Sequence, residues 1–318
     1  MTLLKVDGLK TYYFTLRGPV KAVDNVSFEV ESGEALGLAG ESGCGKTTAA
    51  LSIIRLVPPP GKIVDGKLLF NGVNLLELSK DDMRKIRWKE IAIIFQGAMN
   101  ALNPVMRVGD QIAEAILVHE PDIDKKEAFE RAGKLLQLVG IDPSRAKDYP
   151  HEFSGGMRQR AMIAMALACN PKLLIADEPA TALDVIVQAQ VLDLLKDLRE
   201  KLGLSMILIT HDLSIIAETC DRVAIMYAGK IVEYADVRTI FKHPLHPYTK
   251  GLIDAFPNIK GPRKPITSIP GSPPNLLNPP PGCRFHPRCK YAKDICKKEE
   301  PPLLCVDEKH YVACHLAR

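Results

Sequence analysis

The sequence lacks the features that would mark a membrane-spanning, secreted or nucleic-acid-binding chain. No window approaches the roughly 18 uninterrupted apolar residues that a transmembrane helix needs, and the first residues show no basic segment followed by an apolar signal region. Charged residues make up 25 % of the chain, the net charge is +4, and no long block carries one sign, which does not favour a nucleic-acid partner. We therefore expect a cytoplasmic chain that meets a membrane only through partners.

The cysteines are unevenly distributed, and no two of them form the Cys-x2-Cys pair typical of structural zinc sites. Five of the eight lie between residues 283 and 314, and in a reducing compartment such crowding indicates a metal site rather than disulfides. With 318 residues, of which 46 % are apolar, the chain is long enough for one large domain with an appendage or for two domains.

A glycine-rich segment at residues 40–48 is the strongest motif in the chain. Its pattern, Gly-x4-Gly-Lys-Thr, follows a predicted strand at 34–39 and precedes a predicted helix at 46–56, the context in which this pattern binds phosphate. The glycines let backbone N–H groups face inward, the lysine neutralises phosphate oxygens, and the threonine hydroxyl suits magnesium. A plain surface turn is the alternative, but it requires neither the Lys-Thr ending nor this context. We call this segment the cradle, and its expected ATP-binding residues are Gly40, Glu41, Ser42, Gly43, Cys44, Gly45, Lys46, Thr47 and Thr48.

Polar residues that could act on a bound phosphate follow two later predicted strands. The strand at 172–177 delivers Asp177 and Glu178 at its C-terminal end, the edge at which parallel sheets bind ligands. Successive strand residues point in opposite directions, so Asp177 suits the magnesium shell and Glu178 the polarisation of an attacking water. His211 leaves the predicted strand at 205–210 toward the same edge, where a functional role is favoured over a structural one.

Antiparallel strands are predicted on either side of these motifs. Residues 3–7, 10–16 and 20–30 alternate between apolar and polar side chains, so an antiparallel sheet should precede the cradle. Within it, one ring of Tyr12, Tyr13 and Phe14 could stack on a purine or simply pack in the sheet. Asn71-Gly72 predicts a hairpin at 65–73, and a final hairpin is predicted at 223–233.

A helical segment is predicted after the strand at 91–95. Helices are expected at 108–118, 125–139 and 157–169, which together suggest an inserted helical subdomain at about 97–170. The last helix is preceded by Ser154-Gly155-Gly156. This start is either a second anion-binding helix terminus or an ordinary capped helix, and spacing alone favours the ordinary helix.

Taken together, these motifs resemble the nucleotide-binding subunit of ATP-binding cassette transporters over residues 1 to about 255. The segment Ser154–Gln159 is similar to the family signature, which is more specific than a phosphate loop alone. The resemblance implies an α/β fold with a RecA-like P-loop core, an N-terminal antiparallel β subdomain and an inserted helical subdomain. A small Pro/Cys-rich C-terminal module at 256–318 would follow the cassette domain at 1–255.

The resemblance also assigns roles to individual residues. It implies that Tyr13 stacks on adenine, that Gln96 touches magnesium and the attacking water, that Glu178 is the catalytic base and that His211 contacts the γ-phosphate. Residues 182–184 would form the inter-subunit loop, with Asp184 in it. The residues expected to close over ATP held by a second cassette are Ser154, Gly155, Gly156 and Gln159.

The C-terminal segments at 243–250, 269–274 and 282–289 resemble the oligopeptide and dipeptide importer branch, whose members carry a four-iron, four-sulfur cluster. Matching by position implies the ligands Cys283, Cys289, Cys296 and Cys314. Cys305 departs from the branch pattern and would be a spare thiol, which leaves the fourth ligand open. Zinc, or a thiol group without metal, is the alternative.

The expected function is that of an ATPase bound peripherally at the cytoplasmic face of the cell membrane. The resemblance implies ATP and Mg²⁺ as cofactors, and as partners a second cassette, usually a different chain, two permease subunits and an extracytoplasmic solute-binding protein. Dipeptides or oligopeptides are the expected solutes, with oligosaccharides or nickel as alternatives. A soluble cassette ATPase acting on ribosomes or nucleic acid is the rival class, but such proteins usually hold two cassettes or a long coiled-coil insertion.

Overall fold

The fold was analysed in a computed structural model that describes residues 1–97, 101–181, 183–255 and 269–317. Its strands, in chain order, are β1 (Thr2–Thr15), β2 (Gly18–Glu31), β3 (Ala35–Ala39), β4 (Gly61–Phe70), β5 (Val73–Asn74), β6 (Ile91–Ile94), β7 (Leu173–Asp177), β8 (Ser205–Ile209), β9 (Arg222–Tyr227), β10 (Lys230–Asp236), β11 (Leu304–Asp307) and β12 (His310–Val312). Its α-helices are α1 (Lys46–Ile53), α2 (Lys80–Ile86), α3 (Val108–His119), α4 (Lys125–Leu138), α5 (Gly155–Ala166), α6 (Val185–Leu202), α7 (Leu213–Thr219), α8 (Val237–Lys242), α9 (Pro247–Asp254) and α10 (Asp294–Lys298).

The chain divides into two compact units, which are described separately. The helical unit consists of Met1, Glu31–Glu34 and Glu77–Leu208. The cradle unit consists of Thr2–Val30, Ala35–Leu76 and Ile209–Arg318. The cradle and the described part of the cysteine-rich segment therefore fall in the same unit.

The N-terminal antiparallel sheet is confirmed. Its strands follow the order β2-β1-β4-β5, and β1 pairs with β4 from Leu4 opposite Phe70 to Tyr13 opposite Gly61. Asn71 and Gly72, with φ of 48° and 79°, form the predicted turn between β4 and β5. β4 begins at Gly61, directly after the prolines at 58–60.

The second sheet of the cradle unit has a C-terminal extension that the sequence did not reveal. Its order is β11-β12-β10-β9-β3, with β3 and β9 parallel and the other pairs antiparallel. The hairpin predicted at 223–233 is present as β9 and β10, but it is not the final one, since β12 pairs with β10 through Tyr311 opposite Tyr234. The four residues of β11 are all exposed and show no apolar alternation, so the period of a strand is not visible there.

The aromatic core of the cradle unit joins the cassette to the C-terminal segment. The rings of Tyr227, on β9, and Tyr248, on α9, lie 4.6 Å apart, and Phe285 stands within 5.1 Å of one and 5.3 Å of the other. Tyr227 and Tyr248 are at most 1 % exposed and Phe285 is 3 % exposed. Each buried ring contributes on the order of 2 kcal/mol through burial, so the segment after residue 282 is part of this core.

The helical unit contains the predicted helices together with two parallel strands. β6 and β7 pair in parallel, and all five residues of β7 are buried. α3 and α4 match the predicted helices within one residue. α5 begins at Gly155, two residues before the prediction, because the Ser154 hydroxyl accepts the Met157 N–H at 3.3 Å and starts the helix there. Across the described residues, no helix combines the length and apolar character that crossing a bilayer would need.

Candidate nucleotide-binding site

The cradle has the backbone geometry that phosphate binding requires. Gly40, Gly43 and Gly45 adopt φ of 147°, 76° and 108°, a region that other residues rarely occupy. A Cβ atom at Gly40 would overlap the carbonyl oxygen of Met226, and one at Gly45 would overlap that of Ala22. Neighbouring backbone therefore lies directly against the cradle at these two positions, and only glycine fits there.

The polar side chains of the cradle are arranged around Lys46. This side chain begins α1, is 6 % exposed, and its Nζ donates to the carbonyl oxygens of Gly40 at 2.7 Å and Glu41 at 3.1 Å. Ser42 and Thr47 are exposed, whereas Cys44 is buried. The Cys44 side chain is buried in the loop, with its Sγ 3.6 Å from Lys46 Nζ, and this burial raises the pKa of the thiol, partly offset by Lys46.

These observations fit a nucleoside triphosphate. The positive-φ glycines, the start of α1 and the ammonium of Lys46 provide the donors and charge that three phosphates demand. The exposed hydroxyl of Thr47 is an oxygen donor of the kind that Mg²⁺ prefers.

The catalytic candidates of the helical unit are brought together. Asp177 ends β7 and is 1 % exposed, and Glu178 follows it with a left-handed φ of 47°. Gln96, which is 82 residues away in sequence, donates from Nε2 to Glu178 Oε2 at 2.8 Å. A non-glycine residue held in this conformation is strained by about 1–2 kcal/mol, a feature common at functional sites.

Thr181 is a contact that sequence reasoning missed. Its hydroxyl donates to Glu178 Oε2 at 3.0 Å and its N–H donates to the Glu178 carbonyl oxygen at 3.2 Å. A hydroxyl three residues beyond a carboxylate in a turn is the signal that could have identified it.

His211 and Tyr13 lie in the cradle unit. His211 is exposed and lies two residues beyond the end of β8. It precedes Asp212, which caps α7 by accepting the Ser214 N–H at 2.8 Å. Of the three N-terminal rings, Tyr12 donates its hydroxyl to Asp24 at 2.6 Å, whereas Tyr13 is half-buried opposite Gly61. The hydrogen bond commits Tyr12 to a structural role, which favours Tyr13 as the stacking candidate.

The signature residues and the inter-subunit loop occupy two helix starts in the helical unit. Ser154 is exposed and caps α5, Gly155 and Gly156 are half-buried in its first turn, and Gln159 is only 4 % exposed. Asp184 caps α6 by accepting the Val187 N–H at 3.0 Å. The loop residue Ala182 lies outside the described residues, as do residues 256–268 of the proline-rich segment.

The C-terminal cysteines are reduced in the structure. Burial, together with the neighbouring thiols of Cys314, Cys296 and Cys289, raises the pKa of Cys283 to about 11. Cys305 is exposed and its thiol faces the Asp307 carbonyl oxygen at 3.1 Å. The expected ligands therefore influence one another electrostatically, and Cys305 does not contribute to these shifts.

Proximity of this kind does not amount to a formed metal site. Among the described residues, no group of three or more His, Cys, Asp or Glu side chains is placed to hold a metal ion. The structure thus gives no support to the predicted iron-sulfur cluster or to zinc.

Comparison with known proteins agrees with this architecture. Residues 23–181 match the family model described as ABC transporter, and residues 232–296 match the one described as the C-terminal region of oligopeptide/dipeptide transporters. The chain belongs to the ABC transporter family. It is an ATPase of that family.

Similar proteins cover almost the whole chain. The oligopeptide transport ATP-binding protein AppD of Bacillus subtilis is 50 % identical over 99 % of this chain and 97 % of its own length. The oligopeptide transport ATP-binding protein OppD of Escherichia coli is 47 % identical over 94 % of this chain and 89 % of its own.

Solved structures show the same cassette fold. The dimeric bacterial ABC transporter cassette MJ0796 aligns with a TM-score of 0.66 and 28 % identity, covering 74 % of this chain and 99 % of that one. The same cassette in a post-hydrolysis state, bound to ADP and phosphate, aligns with a TM-score of 0.66 and 27 % identity over 74 % of this chain and 99 % of its own.

Proposed function

We propose that this chain is the ATPase subunit of a membrane importer that takes up dipeptides or oligopeptides. The observation that carries the solute class is the match of residues 232–296 to the C-terminal region of oligopeptide/dipeptide transporters. The relatives AppD and OppD, which align with nearly the whole chain, are named as oligopeptide transport ATP-binding proteins. Oligosaccharides or nickel are the alternative solutes for the same machinery.

We assign a chemical role to each residue from the motif to which it belongs. The cradle N–H groups and Lys46 bind the triphosphate, and Thr47 and Asp177 supply oxygen ligands to Mg²⁺, which neutralises charge that develops on the phosphates. Glu178 accepts a proton from the attacking water while Gln96 and Thr181 hold its carboxylate. His211 contacts the γ-phosphate and Tyr13 stacks on the base.

A second cassette completes this machinery. The exposed Ser154 hydroxyl and the start of α5 form an anion-binding surface that this proposal assigns to the partner's nucleotide. Val185 and Ile186 follow Asp184 and are 81 % and 72 % exposed, which is an unusual position for two large apolar side chains unless a partner covers them. MJ0796, a solved cassette of similar fold, is described as dimeric.

Dimerisation is tested by size-exclusion chromatography of Glu178→Gln with ATP, alone and with the partner cassette. We expect an ATP-dependent dimer that Val185→Asp abolishes, whereas Val118→Asp, on α3, leaves it intact. ATP-dependent association that Val185→Asp does not weaken would contradict the assignment of this surface.

The permease is assigned to a cavity of the helical unit. This cavity, of about 380 Å³, lies between α3, α5 and the segments that flank β6, and its lining residues include Trp88, Met106, Glu114, Val118, His119 and Met165. Its rim exposes Val118 at 69 %. An apolar floor with a few polar groups suits the insertion of a short helix of a membrane subunit.

The transporter assignment is tested by purification of the tagged chain from detergent-solubilised membranes. Two polytopic subunits and a second cassette should copurify, and Val118→Asp should release the polytopic subunits while ATP binding persists. Uptake of labelled dipeptides, oligosaccharides and nickel by cells that lack this chain then identifies the solute. Salt-sensitive binding to RNA or DNA in place of membrane subunits would favour the rival class.

The metal cofactor forms the last part of the proposal. Cys283, Cys289, Cys296 and Cys314 match in number the donor set of a four-iron, four-sulfur cluster, which accepts four thiolates. Burial, and after it neighbouring thiols of this set, raise the pKa of Cys283, Cys289 and Cys314. Zinc is the alternative metal, and the described residues form no group placed to hold either metal.

Anaerobic purification with iron and sulfide analysis tests this cofactor. We expect about four irons per chain, loss of iron in Cys296→Ser, and full iron content in Cys305→Ser. A colourless protein with one zinc per chain would contradict the cluster, and loss of iron only in Cys305→Ser would move the fourth ligand to Cys305.

A further inference from the structure

The cradle is linked to the C-terminal segment through one residue, Glu41. Its carboxylate accepts two hydrogen bonds from Arg288, Nη1 to Oε2 at 2.6 Å and Nη2 to Oε1 at 2.9 Å. The two residues are 247 positions apart. Such a paired arginine and carboxylate fixes both partners in one relative orientation.

The backbone of Glu41 is held as well. Its N–H donates to the Tyr248 hydroxyl at 2.9 Å, and its carbonyl oxygen accepts from Lys46 Nζ at 3.1 Å. Glu41 follows Gly40, where neighbouring backbone already leaves no room for a side chain. The first half of the cradle is therefore fixed at Glu41 through its N–H, its carbonyl oxygen and its side chain.

Arg288 is itself firmly held. Its side chain is 6 % exposed, its Nε donates to the Pro270 carbonyl oxygen at 2.8 Å, and its guanidinium stands 5.7 Å from the Tyr227 ring and 6.0 Å from the Phe285 ring. A guanidinium so anchored does not turn toward another anion when a ligand arrives. It keeps its charge on Glu41.

The pair has an electrostatic consequence for nucleotide binding. Glu41 places a carboxylate within a loop that must accept a highly charged triphosphate, and its side chain is only 25 % exposed, so water screens it incompletely. Without Arg288 this charge would repel the phosphates. With Arg288 in place, the Glu41 carboxylate is neutralised and the loop keeps the conformation that these hydrogen bonds fix.

We propose that Arg288 is a positioning residue for ATP binding, which fixes Glu41 and neutralises its carboxylate so that the cradle accepts the triphosphate. This inference rests on the proposed role of residues 40–48 as the triphosphate site. It assigns the C-terminal segment a direct part in nucleotide affinity.

The test measures binding of a fluorescent, non-hydrolysable ATP analogue to the full-length chain with Mg²⁺. We expect Arg288→Met to weaken binding by about tenfold, the effect of one unneutralised charge, and raised salt to reduce the loss. Arg288→Lys keeps the charge without the paired geometry and should lose less. Glu41→Gln alone is measured as the reference for the double substitution, because it removes the carboxylate while Arg288 stays in place.

The decisive variant is the double substitution of Arg288→Met with Glu41→Gln. Removal of the carboxylate should restore binding to within about threefold of wild type, because no charge then remains to repel the phosphates. A role of Arg288 confined to packing predicts a lowered unfolding temperature and no restoration by Glu41→Gln. That result, or unchanged binding in Arg288→Met, would overturn the proposal.

A matched arginine pair provides the control. Arg131 in the helical unit also donates twice to one carboxylate, to Glu120 at 2.6 Å and 3.1 Å. Arg131→Met should lower thermal stability without changing analogue affinity. If the wild-type chain does not bind the analogue, the function assigned to the cradle is refuted, and the role of Arg288 with it. If the wild-type chain binds, the variants test the role of Arg288 alone.

Discussion

The replacement of Glu178 by glutamine separates nucleotide binding from hydrolysis. Glutamine has the size of glutamate, so its carbonyl oxygen can still accept the hydrogen bonds from Gln96 and Thr181 that now reach Oε2 at 2.8 Å and 3.0 Å. The left-handed φ of 47° costs both side chains alike. The substitution therefore removes basicity and leaves the local structure in place.

The magnitudes differ sharply between folding and catalysis. With both hydrogen bonds retained, we expect the free energy of unfolding to change by less than about 0.5 kcal/mol. Loss of a positioned general base lowers turnover by roughly 10² to 10⁴, or about 2.7 to 5.4 kcal/mol in the activation free energy. Nucleotide affinity should stay within about threefold of wild type, because Glu178 supplies no group that binds the phosphates.

Single-turnover hydrolysis of ATP by the assembled transporter provides the measurement, with analogue binding measured in parallel. Thr181→Val is the matched comparison, since it removes one hydrogen bond to Glu178 but keeps the base. We expect it to lower turnover by about tenfold, the value of one hydrogen bond to a charged group. Turnover of Glu178→Gln within a few-fold of wild type would refute the assignment of the base.

Two further predictions concern the cradle unit. Gly40→Ala should destabilise the chain by about 3 kcal/mol or more and abolish ATP binding, since its Cβ would overlap the Met226 carbonyl oxygen. Gly72, with φ of 79°, is the control, because a Cβ atom there would have no atom within 4 Å. Gly72→Ala should lower the free energy of unfolding, measured by chemical denaturation, by only about 1 kcal/mol. Burial lowers the pKa of His246 to about 3, so protonation favours the unfolded chain, and stability should fall as pH drops below about 6.5, by up to about 5 kcal/mol near pH 3. His246→Asn keeps a side-chain acceptor for the Tyr248 N–H, which lies 3.0 Å from Nδ1 in the wild type, but removes the titrating group. The dependence of the unfolding free energy on pH should therefore decrease by the contribution of up to one proton. An unchanged acid profile would contradict this role of His246.

Local patterns made much of the cassette predictable. The cradle glycines, the apolar strand that ends at Asp177 and the Asn71-Gly72 turn each depend on residues that are close in sequence, and the structure places them as expected. The antiparallel sheet and the helices of residues 108–166 follow from periodicity in the same way. Prediction was sound where the backbone and its nearest neighbours decide the outcome.

The missed features depend on contacts that have no local signature. The hydrogen bond between Gln96 and Glu178 joins residues 82 positions apart. β12 pairs with β10, although the segment that carries most of the C-terminal cysteines separates them in sequence. β11 and β12 hold four and three residues, too few for a period to be visible. Such elements are stabilised by the partner that they meet, which the sequence does not identify.

Two arginines of the cysteine-rich segment connect it to the nucleotide end of the cradle unit. Arg284, beside Cys283, binds Asp24 and the Ala228 carbonyl oxygen, and Arg288, beside Cys289, binds Glu41. Each of these arginines therefore links the chain beside a cysteine to an acidic residue in the N-terminal part of the chain.

The direction of this coupling follows from linkage. If a cofactor or an oxidant binds these thiols more tightly when the arginines are in place, then the same arrangement favours nucleotide binding, and ATP must in turn favour the loaded thiols by the same factor. The side chains of Arg284 and Arg288 are each 6 % exposed, so their contacts are shielded from water. If the cradle binds ATP as proposed, these contacts are the route by which chemistry at the adjacent thiols and nucleotide affinity would change one another.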